Sequence, residues 1–196
     1  MPRPANLETR ARLLEKGAEL VGYRGYNATG VQEITAAAGV PKGSFYHYFA
    51  SKEAFAVEIL DQYCTQTFEQ YGTALSNRNL TPLARVRQFF TDLSVFHEGK
   101  GYAPGCLIGN MALEVTASSA LVRARLNAIY REWTGNLAET LTLAQADGDL
   151  SKDKDSKALA RAMIDAFEGA VMRAKVMRDP EPFRTFEDVV LRQMLC

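Results

Sequence analysis

The stretch VQEITAAAGVPKGSFYHYF, residues 31–49, decides the fold of the N-terminal part of this 196-residue chain. Its pattern predicts two short helices on either side of a tight turn, the layout of a helix-turn-helix. Gly39 can adopt the positive φ that such a turn often needs. The alanines at 36–38 are small, so the two helices can approach closely, and Pro41 suits the first turn of the second helix.

The second helix of this motif has one face for packing and one for contact. Phe45 and Phe49 are spaced i, i+4, so we expect them to pack inward with Val40 and Ile34. The polar residues near the start of the helix then face outward, where recognition helices present side chains to base edges. The predicted DNA-contacting residues of the motif and its flanks are Gln32, Lys42, Gly43, Ser44, Tyr46, His47, Tyr48 and Lys52.

The chemistry of these residues fits DNA. Lys42 can donate to guanine acceptors or to phosphate, Ser44 and Tyr46 can bind phosphate oxygens, and Gly43 allows the backbone to come close. Lys52, in the first turn of the following helix, adds a cation beside that helix's N-terminal amides. Composition alone leaves an alternative open, in which the segment is a small-residue helical hairpin with aromatic packing and solvated lysines.

Helical periodicity continues through nearly the whole chain, and no stretch alternates like a strand. Glu33 lies three residues after Gly30 and can reach back to the N–H of that capping residue. We predict an all-α fold of about nine helices, with an N-terminal three-helix helix-turn-helix domain at 1–50 and a helical effector-binding and dimerisation domain at 51–196. The predicted helices are about 7–24, 31–38, 41–49, 52–75, 82–97, 106–116, 119–146, 156–178 and 182–195.

Composition narrows the classes of function. The chain is 47% hydrophobic with zero net charge, and it has neither a secretory signal nor a membrane-length apolar run, so we expect a cytoplasmic protein. Residues 1–55 carry seven Lys/Arg against five Glu, which permits DNA binding there without requiring it. The three cysteines and two histidines lack metal-binding or disulfide spacing, and enzyme signatures are missing. We therefore predict no catalysis, no cofactor and no metal.

Residues 8–60, and above all PKGSFYHYFASKEAF at 41–55, closely resemble the DNA-binding domain of the TetR/AcrR repressor family. The resemblance implies a homodimer whose paired recognition helices enter successive major grooves of near-palindromic double-stranded operator DNA. It also implies a divergent C-terminal domain of about six helices, which agrees with helices four to nine here. One departure is Gly30, where members often carry Ser or Thr; it weakens an expected phosphate contact but leaves the fold unaffected.

Cys106 follows a glycine-rich stretch and opens a predicted helix. Unpaired amides and the positive dipole end at such a position raise the reactivity of a thiol. The alternative is that Cys106 is a small buried hydrophobe. The predicted effector-sensing residues are Cys106, Asn110, Trp133, Phe89 and Phe167, and Tyr130 is a further polar candidate within a cavity. His97 is expected to be either a ligand donor or, more commonly, a surface cap of its helix.

The tripeptide Gly105-Cys106-Leu107, together with the KGSFYHYF helix, resembles the NemR-type branch of the family. That resemblance implies a response to electrophiles or oxidants at this cysteine; a related branch senses acrylate-like compounds. Lys100 and Lys175 are candidate partners for a thiolate. The predicted function is a DNA-binding repressor released by a small-molecule effector. Alternatives are release by a non-covalent hydrophobic ligand, a helical binding protein without operator binding, or a divergent helical enzyme.

Helices eight and nine are the predicted homodimer interface. Helix eight is small-sided, and helix nine carries more apolar residues than a terminal surface helix should expose. If helices eight and nine packed against the same two helices of a second copy, the four-helix bundle would bury the small-sided face of helix eight and the apolar face of helix nine. The residues concerned are Ala162, Ala166, Gly169, Ala170 and Ala174 on helix eight, and Phe183, Phe186, Val189, Val190 and Met194 on helix nine.

Overall fold

The computed structural model describes residues 4–196, with side chains from Leu7 onward. Over this range the chain forms nine helical stretches and no strand, as predicted. The helices are α1 (Pro4–Arg24), α2 (Val31–Ala37), α3 (Lys42–Tyr48), α4 (Lys52–Ser76), α5 (Pro82–Gly99), α6 (Leu107–Val115), α7 (Ala120–Asp147), α8 (Ser156–Met177) and α9 (Glu181–Met194).

Local capping explains where these helices begin. The Gly30 N–H donates to the Glu33 carboxylate at 2.8 Å, as the sequence predicts. Ser51 Oγ accepts from the Ala54 N–H at 3.1 Å and starts α4, while an Asp155 oxygen accepts from the Lys157 N–H at 2.9 Å and starts α8. These side chains satisfy amides that have no partner inside their helix.

Two helices contain π-helical stretches that the sequence pattern did not predict. They are Phe68–Gly72 within α4 and Phe186–Leu191 within α9. In the first, the ring of Phe68 lies over Gly72, 2.6 Å from where a Cβ would stand. Glycine therefore accommodates the ring at this point. A widened turn leaves the residues around it helical, so a search for 3.6-residue periodicity does not detect it.

The chain forms two compact units. The first contains the chain up to Thr65 together with Leu107–Asn127, and the second contains Gln66–Cys106 and Ala128–Cys196. The unit boundaries therefore fall within α4, within α7 and directly before α6.

An aromatic cluster fills the core of the first unit. The rings of Phe45, Phe49 and Phe55 lie 4.8–5.1 Å apart, and all three side chains are buried. The ring of Phe55 occupies the place where a Cβ on Gly17 would stand. Helix α1 can therefore pack closely against this ring of α4 only because residue 17 is glycine. The predicted inward packing of the helix-turn-helix is thus confirmed for Phe45, Phe49 and Ile34, while Val40 is half-buried.

The second unit has its own aromatic core, and it corrects the prediction for one histidine. Phe167 lies 5.2 Å from both Phe90 and Phe186. His97 belongs to this core rather than to the surface: it is 4% exposed and its ring stacks on Phe183 at 5.8 Å. Its Nδ1 is buried without a hydrogen-bond partner. Burial lowers the pKa of His97 to about 4, so the ring is neutral at physiological pH.

The three cysteines are not in disulfides. Cys64 is buried in α4 and Cys196 is exposed. Among the described helices, none combines the length and apolar character required to cross a membrane.

Candidate DNA-binding surface and cysteine cluster

The helix-turn-helix of residues 31–48 is held together by its own backbone and by one buried threonine. Gly39 has φ +67°, and the Val40 N–H donates to the Thr35 carbonyl at 2.9 Å across the turn. The Thr35 hydroxyl is buried and donates to the Val31 carbonyl at 3.0 Å. The turn thus satisfies its own polar groups, and the outer face of α3 is not needed to stabilise the motif.

That outer face carries the predicted contact residues. The exposed ones are Gln32, Lys42, Gly43, Tyr46 and His47, and the half-buried ones are Ser44 and Tyr48. Tyr46 is 58% exposed, an unusual position for an aromatic side chain unless a partner covers it. A Cβ on Gly43 would meet no atom within 4 Å, so packing inside the chain does not require glycine there.

Lys52 has a second partner that sequence reasoning did not predict. Its ammonium donates to the Tyr26 carbonyl at 2.6 Å and lies 4.0 Å from the centre of the Tyr26 ring. Burial lowers the pKa of Lys52, and the carboxylates of Glu114, Glu33 and Glu53 oppose that change. Lys52 therefore braces the loop between α1 and α2 with one of its three donors.

The same loop is also bound by α6. The Asn27 N–H donates to the Glu114 carboxylate at 3.0 Å, and the Asn27 side-chain amide donates to the Glu114 carbonyl at 3.3 Å. A Cβ on Gly25, which has φ +91°, would lie 2.6 Å from that carboxylate. Because Asn27 and Glu114 are 87 residues apart, local sequence patterns gave no signal for this contact.

Cys106 lies directly before α6, at the helix start that the sequence predicted, and is 5% exposed. Its thiol is hydrogen-bonded to the Glu168 carboxylate of α8. Burial and then the charge of Asp165 raise the pKa of Glu168 to about 7, although the hydrogen bond from Cys106 lowers it. The pKa of Tyr130 on α7 is raised mainly by burial and then by the charge of Glu168. We call Cys106, Glu168 and Tyr130 the cysteine cluster.

Two basic residues, one in the last turn of α8 and one directly after it, hold the loop that precedes Cys106. Lys175 Nζ donates to the Pro104 carbonyl at 3.2 Å, and an Arg178 guanidinium nitrogen donates to the Gly101 carbonyl at 3.4 Å. Lys175 thus lies beside the cysteine's own loop. Lys100, the other predicted thiolate partner, lies over the Phe96 ring at 5.9 Å.

The predicted effector residues occupy three places. Trp133 is half-buried with its ring 5.7 Å from that of Tyr130, so it borders the cysteine cluster. Phe89 and Phe167 both contact Phe90, and Phe167 is a central residue of the aromatic core. Asn110 lies in the first unit. Glu168 was not predicted, although it is one of only two acids among the largely apolar residues of α8.

A groove of about 350 Å³ runs between α8 and α9. Its lining residues are Ala166, Gly169, Ala170, Arg173, Glu181, Pro182, Thr185, Phe186 and Val190. On the same two helices, Met172, Val176 and Val189 are 59%, 81% and 56% exposed. The expectation that Phe183 and Phe186 face outward was wrong: they are 3% and 2% exposed, because both rings complete the aromatic core around Phe167.

Comparison with known protein families matches both parts of the chain. Residues 13–59 match the family described as Bacterial regulatory proteins, tetR family. Residues 82–190 match the family described as Tetracyclin repressor-like, C-terminal domain, which covers more than half of the chain.

Individual relatives match over nearly their whole length. The HTH-type transcriptional repressor DhaR of Mycobacterium sp. (strain GP1) is 34% identical over 97% of this chain and 94% of its own. The transcriptional regulator AcuR of Cereibacter sphaeroides is 38% identical over 89% of this chain and 80% of its own. The crystal structure of Escherichia coli NemR in its reduced form superposes with a TM-score of 0.86 at 26% identity, covering 96% of this chain and 97% of that one.

Proposed function

Because this chain belongs to the TetR family of bacterial regulatory proteins, we propose that it is a homodimeric repressor that leaves its operator when a small effector acts on its C-terminal domain. In this proposal residues 1–50 read DNA in the cytoplasm, and residues 51–196 bind the effector and dimerise. Several relatives that match nearly the whole chain are named as transcriptional repressors, which supports this function over a binding protein without an operator.

The single observation that carries DNA binding is the outer face of α3. Lys42, Gly43, Tyr46 and His47 are exposed on a motif whose own polar groups are satisfied elsewhere. A cation, hydroxyl and imidazole donors, and a bare glycine on one short helix are the groups that contact phosphates and base edges in a major groove. Two such helices related by a two-fold axis would read half-sites about one helical turn apart.

Fluorescence anisotropy tests this with the protein and the DNA upstream of its own gene. We expect binding at nanomolar to tens-of-nanomolar protein at physiological salt, and at least about a thousandfold weaker binding to scrambled DNA of the same length. Equal affinity for the two DNAs would contradict the repressor function. The proposed contact surface also includes Ser44 and Tyr48 of α3, Gln32 of α2 and Lys52 of α4.

We propose that the effector is an electrophile or oxidant that reacts at Cys106. The thiol lies directly before α6, and the far end of that helix carries Glu114, which holds the α1–α2 loop. A nine-residue helix spans about 13 Å. Bulk added at the first end of α6 would therefore be transmitted to the loop that precedes α2. Trp133, Phe89, Phe167 and Asn110 remain proposed effector contacts.

Release from DNA is the measurement that separates this effector from a non-covalent ligand. Treatment with N-ethylmaleimide or hypochlorite should weaken operator binding by the wild type. Cys106→Ser should bind DNA and resist the treatment, while Cys64→Ser and Cys196→Ser should respond as the wild type does. If Cys106→Ser is released as readily as the wild type, the cysteine is structural and the effector is a hydrophobic ligand of the aromatic core.

We also propose that the dimer forms through α8 and α9. The exposed Met172, Val176 and Val189 lie on the two helices that line the groove, and three of its four α8 lining residues, Ala166, Gly169 and Ala170, are small. A Cβ on Gly169 would meet no atom within 4 Å, so this part of α8 is open to close approach by a second helix.

A further inference from the structure

The cysteine cluster pairs a nucleophile with a group that can take its proton. The Cys106 thiol donates its hydrogen bond to the Glu168 carboxylate, and both side chains are withdrawn from water, Cys106 fully and Glu168 in large part. A thiol becomes a strong nucleophile only when its proton leaves. In a site with little water, the acceptor of that proton must be a neighbouring side chain within hydrogen-bond reach.

The surroundings of Glu168 favour its uptake of a proton. The side chains that act on it are Cys106, from the loop before α6, and Asp165, from α8 itself, and the charge of Glu168 in turn acts on Tyr130 of α7. Lys175 directs its ammonium to the Pro104 carbonyl on the same loop. The charge nearest to Glu168 along α8 is thus another carboxylate, which favours uptake of a proton by Glu168.

We propose that Glu168 is the catalytic proton acceptor for Cys106 when its thiol adds to an electron-poor carbon–carbon double bond, such as that of an α,β-unsaturated carbonyl compound. This inference rests on the proposed sensing function of Cys106. The sulfur forms a bond to the β-carbon, the S–H bond breaks, and the proton moves to Glu168. The π electron pair moves to the carbonyl side as an enolate. Glu168 then returns the proton to the α-carbon, so the addition is complete without any other reactant.

The pH dependence of the addition follows from this role. Glu168 accepts a proton only as the carboxylate, and burial raises the pKa of this group to about 7. The rate of modification should therefore rise with pH through about 7 and then flatten. Without the acceptor, the rate should depend on the small thiolate fraction alone and climb steadily with pH over the same range.

The test measures the rate of modification of Cys106 by N-ethylmaleimide, using intact-protein mass spectrometry in a Cys64→Ser, Cys196→Ser background from pH 5.5 to 8.5. Glu168→Gln should slow the reaction about 10- to 100-fold at pH 7.5 and remove the flattening. Glu168→Asp should retain part of the rate. Asp165→Asn is the matched control one turn away: it should keep the rate and move the midpoint to lower pH, because it removes a charge that raises the pKa of Glu168.

The outcomes separate this inference from the function on which it rests. If Glu168→Gln reacts at the wild-type rate with the wild-type pH profile while modification still releases DNA, Glu168 is not the acceptor and the sensor stands. If wild-type Cys106 does not react, or reacts without loss of operator binding, the sensor function itself is wrong. If Glu168→Gln does not fold, the pH midpoint of the modification rate is compared between the wild type and Asp165→Asn. An unchanged midpoint in Asp165→Asn would overturn the inference.

Discussion

The backbone N–H of Asn27 donates a 3.0 Å hydrogen bond to the carboxylate of Glu114. One partner lies in the loop between α1 and α2, immediately before the helix-turn-helix, and the other lies near the end of the helix that Cys106 precedes. Lys52 binds the neighbouring Tyr26 carbonyl. Two side chains from different helices thus fix this loop, and with it the position from which α2 begins.

Removing the Glu114 carboxylate should uncouple the reading helix from the cysteine. Glu114→Ala should cost about 1 kcal/mol of unfolding free energy, since it removes one solvent-accessible hydrogen bond to the loop. Modification of Cys106 should then weaken operator binding several-fold less than in the wild type. Anisotropy titrations before and after treatment with N-ethylmaleimide measure both states. Glu139→Ala, which removes an exposed acid of α7, is the control; equal release in the Glu114 and Glu139 variants would show that α6 does not transmit the signal.

Gly43 offers a test of DNA contact that does not disturb the fold. Space is available for a Cβ at this helical position, so Gly43→Ala should keep or slightly raise thermal stability. The same methyl group should hinder approach of the α3 backbone to DNA and weaken operator binding by about 1–3 kcal/mol, as should Lys42→Ala and Tyr46→Ala. Melting temperature and anisotropy are measured on the same samples. A Gly43→Ala variant with undiminished affinity would place the DNA away from the start of α3.

Lys52 should have separable effects on stability and on DNA binding. Lys52→Ala loses the bond to Tyr26 and the ring contact, at a cost of about 1–2 kcal/mol in unfolding free energy. It should also weaken binding to specific and scrambled DNA alike and reduce the salt slope by about 1. Lys52→Met keeps the aliphatic stem but not the charge, and should lose the same salt slope with less loss of packing. An unchanged slope in both variants would mean that Lys52 only braces the loop.

His97 should make the protein sensitive to acid. Its pKa is about 4 in the folded chain and near 6.5 when unfolded, so between these values the unfolded chain binds the extra proton. This contribution to stability is present at neutral pH and lost as the pH falls, by about 2 kcal/mol at pH 5. His97→Leu and His97→Phe should both show a smaller drop in urea midpoint between pH 7 and pH 5. If both keep the wild-type drop, another group causes it.

The exposed apolar side chains of α8 and α9 should control the oligomeric state. Val176→Asp places a charge at a position that is 81% exposed in the single chain, so the monomer should fold normally. Within a dimer the same charge would be buried, and sedimentation velocity should show monomers at micromolar concentration. Leu143→Asp changes an exposed leucine of α7 and should remain dimeric. A dimer that survives Val176→Asp and Val189→Asp would locate the interface elsewhere.

Local chemistry made much of this structure predictable. The capping contacts of Glu33 and Ser51 connect residues three positions apart, so they are visible in any short window of sequence. The inward spacing of Phe45 and Phe49 is equally local. The outward placement expected for Phe183 failed because its neighbour in the core, Phe167, lies on another helix, and periodicity within one helix does not say which of two apolar faces the chain will cover.

The residues that give the proposed site its chemistry were harder to predict. Glu168 acquires its raised pKa from burial and from the charge of Asp165, and its hydrogen-bond partner Cys106, which lowers that pKa, is distant in sequence. Glu114 looks like an ordinary helix acid until its contact with Asn27 is seen. In both cases the amino acid is common and its role comes from a partner on another element, which only the folded arrangement supplies.

The attachment of the loop before Cys106 has a consequence for the evolution of this protein. Lys175 and Arg178 bind the carbonyls of Pro104 and Gly101, and every residue type offers a carbonyl. Most side chains between positions 99 and 105 can therefore change by mutation while these two attachments persist; the exceptions are Gly101 and Gly105, whose positive φ the path requires, and the buried Tyr102, whose ring lies 6.3 Å from that of Phe183. Relatives could diversify this short segment next to the thiol with Lys175 and Arg178 left as they are.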